Sequence, residues 1–152
     1  MIAIPAAAVL LTVSGWYFFY GPGDCPNDNE AAVKEYQNNR PAISNEFVID
    51  DNRNAIMNLL LPLWFSRFTS RLADPGNRLN EYEIDKVDVG PWKDDRFLAS
   101  VTFSVKPFKC SFEEWLTGNG EESEAWIRRK FLVFSIVKAG NKYQVEDVGS
   151  SP

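Results

Sequence analysis

The stretch from Arg96 to Val148 constrains this chain most. Between Arg96 and Lys106, Phe97, Ala99, Val101, Phe103 and Val105 alternate with Arg96, Ser100, Thr102, Ser104 and Lys106, and only Leu98 breaks the polar set. Alternation of period two predicts a strand with one buried face and one wet face. Pro107 removes a ladder donor and ends it. Trp126 to Lys138 has a different character. Phe131, Leu132, Val133, Phe134, Ile136 and Val137 leave neither face polar, which predicts a central strand covered on both sides. Ala139-Gly140-Asn141 supplies turn chemistry and Tyr143-Gln144-Val145 resumes the alternation, so Phe131 to Val148 reads as a hairpin. Tyr82 to Val89 predicts a fourth strand with a phase fault, because Tyr82 and Ile84 point one way while Val87 and Val89 point the other. A β-bulge near Asp85-Lys86 restores the phase and bends the strand.

Helical signals precede the strands. Asp28 or Asn29 caps a short helix, Glu30 to Asn38, and Asn38 to Ser44 reads as a turn with Pro41 as breaker. Asp50-Asp51-Asn52 opens the main helix, where such side chains satisfy free backbone donors. Ile56, Leu59, Leu60, Leu63, Trp64 and Phe68 recur at helical spacing, with Leu72 a turn further on, and Met57, Leu61 and Phe65 widen the apolar arc. Pro62 lies inside the pattern and predicts a kink or a division. Asp74-Pro75-Gly76-Asn77 closes the region.

The N-terminal segment is of another kind. Met1 to Gly23 carries no charged side chain, and Ile2 to Tyr20 is apolar apart from Thr12 and Ser14. As a helix it would span about 28 Å at about 1.5 Å per residue, close to a hydrocarbon core of about 30 Å. Trp16, Tyr17 and Tyr20 sit where an aromatic belt meets the headgroups, and Gly21-Pro22-Gly23 ends the helix. A single-span anchor over 1–23 is the preferred reading, ahead of a cleavable signal peptide and a buried helix. It makes membrane lipid the partner of residues 2–20, residues 24–29 a linker, and residues 30–152 a folded domain outside the cytoplasm.

At 152 residues with a net charge of −5, the chain is one domain with its anchor, and the charge argues against nucleic acid. The sequence contains no histidine, which removes nucleophile systems built on serine or cysteine with histidine. Nothing in the sequence calls for a cofactor or a metal. Cys25 and Cys110 are the only cysteines. In an oxidising compartment they can form a disulfide that pins the start of the domain to the loop after the second strand, and in a reducing one they are two thiols.

Two loops carry candidate contact residues. Trp92 lies in Gly90 to Asp95, either tucked over the core edge or facing a partner. The excursion from Cys110 to Ser123 starts with Ser111 and Glu114, the pattern of a capping box around one helical turn with Phe112, Trp115 and Leu116. Glu113, Glu114, Glu121, Glu122 and Glu124 make it the most acidic stretch, but without the spacing of a calcium loop. Phe112 and Trp115 beside Glu113, Glu114, Glu121 and Glu122 form the best candidate contact surface.

A helix, a kinked helix and four mostly antiparallel strands with a bulge in the first resemble the NTF2-like superfamily, cone-shaped α+β domains. The closing Tyr143-Gln144-Val145-Glu146-Asp147-Val148 looks like the last strand of many members. The resemblance covers about Glu30 to Gly149 and rests on element order. With the anchor added, the layout is similar to the bitopic assembly proteins of type IV secretion systems. Enzymes of this superfamily imply a buried aspartate base and a tyrosine donor, for which Asp85, Asp88 and Tyr82 are the matching positions, although family histidines have no counterpart here. The expected fold is therefore α+β, a transmembrane helix followed by helices on a curved four-stranded sheet. The expected function is a non-catalytic accessory or assembly subunit of a membrane complex. A small-ligand or lyase/isomerase pocket protein and an immunity-type toxin inhibitor acting through Glu113 to Glu124 are the alternatives.

Overall fold

The computed structural model describes residues 40–69 and 77–150. The proposed anchor with Trp16, Tyr17 and Tyr20, the linker, the helix at Glu30 to Asn38, Cys25, Leu72 and Asp74 to Gly76 lie outside the described residues. Among the described residues no helix is long and apolar enough to cross a membrane.

The elements in order are β1 (Ala42–Ser44), a 3-10 turn (Asn45–Phe47), α1 (Arg53–Thr69), β2 (Leu79–Val89), β3 (Arg96–Pro107), a second 3-10 turn (Lys109–Ser111), α2 (Phe112–Leu116), β4 (Glu121–Ser123), β5 (Trp126–Ala139) and β6 (Lys142–Gly149). The fold is α+β with a strongly curled antiparallel sheet. Among the described residues it has six strands, ordered β1-β6-β5-β3-β2, with β4 paired to the end of β5 that β6 does not reach.

Four strands were expected, and the two additional ones are three residues each. Segments that short carry no readable alternation. β1 replaces the turn expected at Asn38 to Ser44: Ile43 pairs with Tyr143, and the Pro41 carbonyl accepts from Val145 N at 3.0 Å. Pro41 donates nothing, so it fits at the start of an edge strand. β4 turns part of the acidic excursion into a hairpin arm, with Glu122 opposite Ile127.

The phase fault in β2 is resolved as predicted. The register slips between Ile84 and Lys86, leaving Asp85 as the extra residue. Residues directly opposite in antiparallel strands share a face, so the pairs Tyr82–Val105, Ile84–Phe103, Val87–Val101 and Val89–Ala99 all lie on the inner face. Similar slips occur in β5 opposite Phe103 and Val105, and in β6 at Glu146. Each bulge bends its strand and adds twist, and together they curl the sheet.

α1 lies across the inner face. Asn52 caps it, its Oδ1 accepting from Ala55 N at 3.0 Å. The helix runs unbroken through Pro62, which is exposed, so the expected division does not occur. Its buried arc is also rotated from the expected stripe. Ile56, Met57, Leu60, Leu61, Trp64 and Phe65 are buried, whereas Leu59 and Leu63 are 39% and 43% exposed. A helix that wide in apolar side chains can dock by more than one face. The side chains that meet aromatic rings win. Phe65 stacks on Tyr82 at 4.3 Å and meets Phe103 edge-on at 5.1 Å, and Trp64 meets Phe134 edge-on at 5.0 Å. Such pairs add about 1 kcal/mol each beyond area burial.

β5 is central, as expected, with β3 on one side and β6 on the other. Its inner residues Ile127, Phe134 and Ile136 are buried, and Val133 on the outer face is 5% exposed. Phe131 and Val137 on that outer face are half-buried. The cover is thus partial outside and fuller inside, where Leu132 alone of the strand's aliphatic residues is half-buried.

Candidate interaction surface

The inside of the curled sheet is occupied by side chains. Phe65, Phe97, Phe103, Phe134 and Tyr143 are each at most 2% exposed, and Trp64 closes over them. Polar chemistry is therefore found at the two ends of the sheet and on its outer face.

At one end, the loop entering α1 is tied to β5 and β6. Asp51 sits at φ +50 and turns its carboxylate back to the sheet. Lys138 Nζ donates to both its oxygens at 3.0 and 2.9 Å, and the Tyr143 hydroxyl donates to Oδ1. Those bonds hold the Asp51 carboxyl below the usual carboxylate range, the Tyr143 contact contributing most. Burial, reinforced by Asp51, pushes the Tyr143 hydroxyl up to about 12. Trp92 Nε1 donates to the Asp51 carbonyl at 3.0 Å, and its ring meets Phe97 edge-on at 4.8 Å. Trp92 is thus tucked over the core edge, half-buried, the first of its two expected placements.

The opposite end is tied by a single ammonium. Lys130 lies on the inner face opposite Phe103 and is 7% exposed. Its Nζ donates to the carbonyls of Trp115 at 2.6 Å, Asn119 at 2.7 Å and Thr117 at 3.3 Å. Burial pushes its pKa down. The carbonyls at the end of α2 carry the negative end of its dipoles, which is where a cation belongs. Trp115 Nε1 donates to Asn77 O at 2.9 Å, and its ring meets Phe68 edge-on at 5.1 Å. Gly120 makes the return possible. It sits at φ +119, and a Cβ there would lie 2.8 Å from Ile127 Cγ2.

The expected capping box does not form. α2 is present, but Ser111 Oγ accepts from Arg78 N at 2.9 Å instead of capping the helix. A buried backbone N–H with no ladder partner takes the hydroxyl, because leaving it unpaired would cost about 1–3 kcal/mol.

The structure separates the candidate contact residues. Trp115 is 8% exposed and faces the core. Phe112 is half-buried against the core, while Glu113 and Glu114 on α2 and Glu121 and Glu122 on β4 are exposed. Of these, Glu121 pairs with Arg129 at 3.8 Å. Glu121, Glu122, Arg128 and Arg129 border an open recess of about 610 Å³ with Asp85, Thr102 and Ser104. The surface at this end is acidic but interleaved with arginine.

Tyr82, Asp85 and Asp88 are not brought together. Tyr82 is on the inner face against Phe65. The bulge sends both aspartates outward, where Asp85 accepts from Ser104 Oγ at 2.9 Å and Asp88 pairs with Lys86 at 3.2 Å. Cys110 is disulfide-bonded, whereas Cys25 lies outside the described residues. Among the described residues no cluster of three or more histidine, cysteine, aspartate or glutamate side chains could hold a metal.

Besides these two closures, two further sites were not foreseen. Glu146, the bulged residue of β6, receives Arg96 Nε at 2.5 Å, Arg96 Nη2 at 2.6 Å and Ser135 Oγ at 3.1 Å, and the Arg96 bonds hold its pKa down. Beside it, Arg40, Pro41, Trp64, Arg67, Phe68 and Val148 line a recess of about 480 Å³ at the seam of α1 and β6. Neither has a local sequence signal, because each joins residues far apart in the sequence.

No protein-family model matches this chain, and comparison with curated proteins and with solved structures gives no match. Function must therefore be argued from the arrangement itself.

Proposed function

We propose that this protein is a membrane-anchored, non-catalytic interaction module, an accessory or assembly subunit of a membrane complex whose folded domain lies outside the cytoplasm. The observation that carries the reading is the filled cup: Phe65, Phe97, Phe103, Phe134 and Tyr143 are buried inside the curled sheet, where the resemblance to NTF2-like enzymes would imply a substrate. The candidate acid–base pair Tyr82 and Asp85 is divided between two faces. What the domain offers its surroundings is an outer sheet face and an acidic hairpin, both suited to protein contact. The uncharged Ile2 to Tyr20 segment supports the tether. The curled antiparallel sheet with one long helix inside it supports the likeness to NTF2-like assembly domains.

The experiment is membrane fractionation of the full chain followed by an alkaline carbonate wash. Retention in the pellet is expected, and release without detergent overturns the tether. Replacing Glu113, Glu114, Glu121 and Glu122 together by Lys then tests the surface. Loss of co-purifying subunits in mild detergent is expected, and an unchanged set overturns the role of the hairpin.

A second reading, small-ligand binding, is favoured by the recess at Arg40, Trp64, Arg67 and Phe68, whose volume falls in the range of about 300–1,000 Å³ typical of ligand sites. Quenching of tryptophan fluorescence by a hydrophobic carboxylate, lost in Arg67→Met, would establish it.

A further inference from the structure

Among the described residues, β2 is the long free edge of the sheet. It runs for 11 residues at the end of the strand order, whereas β1 at the other end has three. Among the described residues no strand lies beside its outer side. Edge strands are templates for further pairing and are guarded when pairing is unwanted.

The two faces of this edge differ in chemistry. On the inner side, Tyr82, Val87 and Val89 are half-buried and Ile84 is 36% exposed, so an apolar row continues past the cover of α1. On the outer side lie Glu81, Glu83, Asp85, Lys86 and Asp88. Lys106 reaches Glu81 at 3.7 Å, Arg128 reaches Glu83 at 2.8 Å and Lys86 reaches Asp88 at 3.2 Å. Lys106 and Arg128 stand on the interior side of β2, and the Glu81, Glu83 and Asp88 side chains remain 60%, 53% and 63% exposed. β2 itself thus brings four carboxylates and one ammonium to the outer face of this edge, where Glu81, Glu83 and Asp85 also meet Lys106, Arg128 and Ser104 of the neighbouring strands.

We propose that the β2 edge takes an extended segment of a protein partner by strand addition. That segment alternates basic side chains, set over Glu81, Glu83 and Asp88, with apolar ones, set beside Ile84, Val87 and Val89. Main-chain hydrogen bonds supply the attachment, and the alternate side chains supply the selection. A second copy of the same edge is rejected, because antiparallel self-pairing places carboxylate rows together and like charges directly opposite are unfavourable. The bulge at Asp85 divides the edge. Glu81–Ile84, which contains no basic residue and whose carboxylates stay more than half exposed beside Lys106 and Arg128, is the primary contact and Lys86–Val89 the secondary one. The inference rests on reading the domain as an interaction module. Fractionation tests the tether and peptide binding tests the edge, so either can fail alone.

The test uses the full chain in detergent micelles and three probes: an alternating Lys-Val octapeptide, its Glu-Val counterpart, and the Lys-Val peptide N-methylated at alternate residues. Binding is read by titration, and its location by amide hydrogen exchange. The Lys-Val peptide is expected to bind at least about tenfold more tightly than the Glu-Val peptide, as two favourable cross-strand charge pairs would supply. It should weaken with salt, protect Leu79–Val89, and lose binding on N-methylation. E81K with E83K should reverse the preference, and E81Q with E83Q should abolish it while leaving the circular dichroism unchanged. Equal affinity for both charged peptides, retained binding of the N-methylated peptide, or protection of Leu79–Val89 that rises with protein concentration alone each overturns the proposal.

Discussion

The two ends of the sheet are closed by different electrostatics. At the Asp51 end, a carboxylate meets an ammonium and a hydroxyl in a half-solvated setting, with Lys138 about one-third exposed. At the Lys130 end, one buried ammonium meets only neutral carbonyls. The first closure depends on the charge of both partners and so on pH. The second depends on the charge of Lys130 alone, whose pKa burial lowers, because its acceptors are backbone dipoles that do not titrate. Part-exposed ion pairs are weak and screened, whereas a buried cation that loses its acceptors, or acceptors that lose their cation, costs desolvation outright. The Lys130 end should therefore be the stronger closure and the Asp51 end the adjustable one.

The largest expected effect is at the rings that seal each end. Trp115→Ala should lower unfolding stability by about 3–5 kcal/mol, because it opens a cavity beside Phe68 and strips Asn77 of its donor. Trp92→Ala should cost about half as much, since Trp92 is only half-buried. Equal losses in urea denaturation would break the proposed ranking of the ends.

Next comes the cation itself. Lys130→Met keeps the aliphatic stem and leaves three carbonyls without their donor, for a loss of about 2–3 kcal/mol. Asp51→Asn retains the shape and should show a clearly smaller drop in the same assay. A larger loss for Asp51→Asn would reverse the comparison.

The pH dependence sharpens it. Asp51 has a folded pKa below its ordinary value. Its contribution is present above the unfolded carboxylate pKa and is lost as pH falls through the folded one. Tyr143 has a folded pKa raised to about 12. Its contribution is complete below the unfolded value of about 10 and declines as pH rises from there towards about 12. Stability curves should therefore fall at both extremes, and Asp51→Asn should flatten the acid limb while Tyr143→Phe flattens the alkaline one. Unaltered limbs in thermal melts across pH would show that the Asp51 cluster does not bear the titration.

The smallest effect concerns the turn beside the Asp51 end. Asp94 and Asp95 have φ of +52 and +58 and join Lys93 to Arg96 as a two-residue turn, its bonds 2.7 and 3.1 Å long. Asp95→Gly should raise stability by about 0.5–1 kcal/mol, because glycine pays no penalty in the left-handed region that such primed turns require. A lower melting temperature would mean that the Asp95 side chain is doing something else.

Much of this arrangement was legible beforehand. The alternation of Phe97 to Val105, the apolar run of β5, the Gly140-Asn141 turn and the bulge at Asp85 follow from side-chain period alone, and all appear in the sheet. The site was less legible. Asp50-Asp51-Asn52 was read as one capping run, yet only Asn52 caps, while Asp51 turns back to Lys138 and Tyr143, 87 and 92 residues away. Ser111 illustrates the same failure, because a hydroxyl placed for its own helix was taken by Arg78 N, the residue just before β2. Trp115 looked like a contact residue beside carboxylates and proved to be core.

Taken alone, the sequence determined which long segments are strands, which of their faces is apolar, where the phase breaks, and that it holds no histidine. These properties repeat every two or 3.6 residues and so are written locally. Only the tertiary structure decided which arc of α1 meets the sheet, that three-residue strands at Ala42 and Glu121 complete it, and which charged groups close its ends. Those outcomes are competitions between distant partners for one acceptor or one cavity, and the curl of the sheet, summed from several bulges, determines which partner arrives.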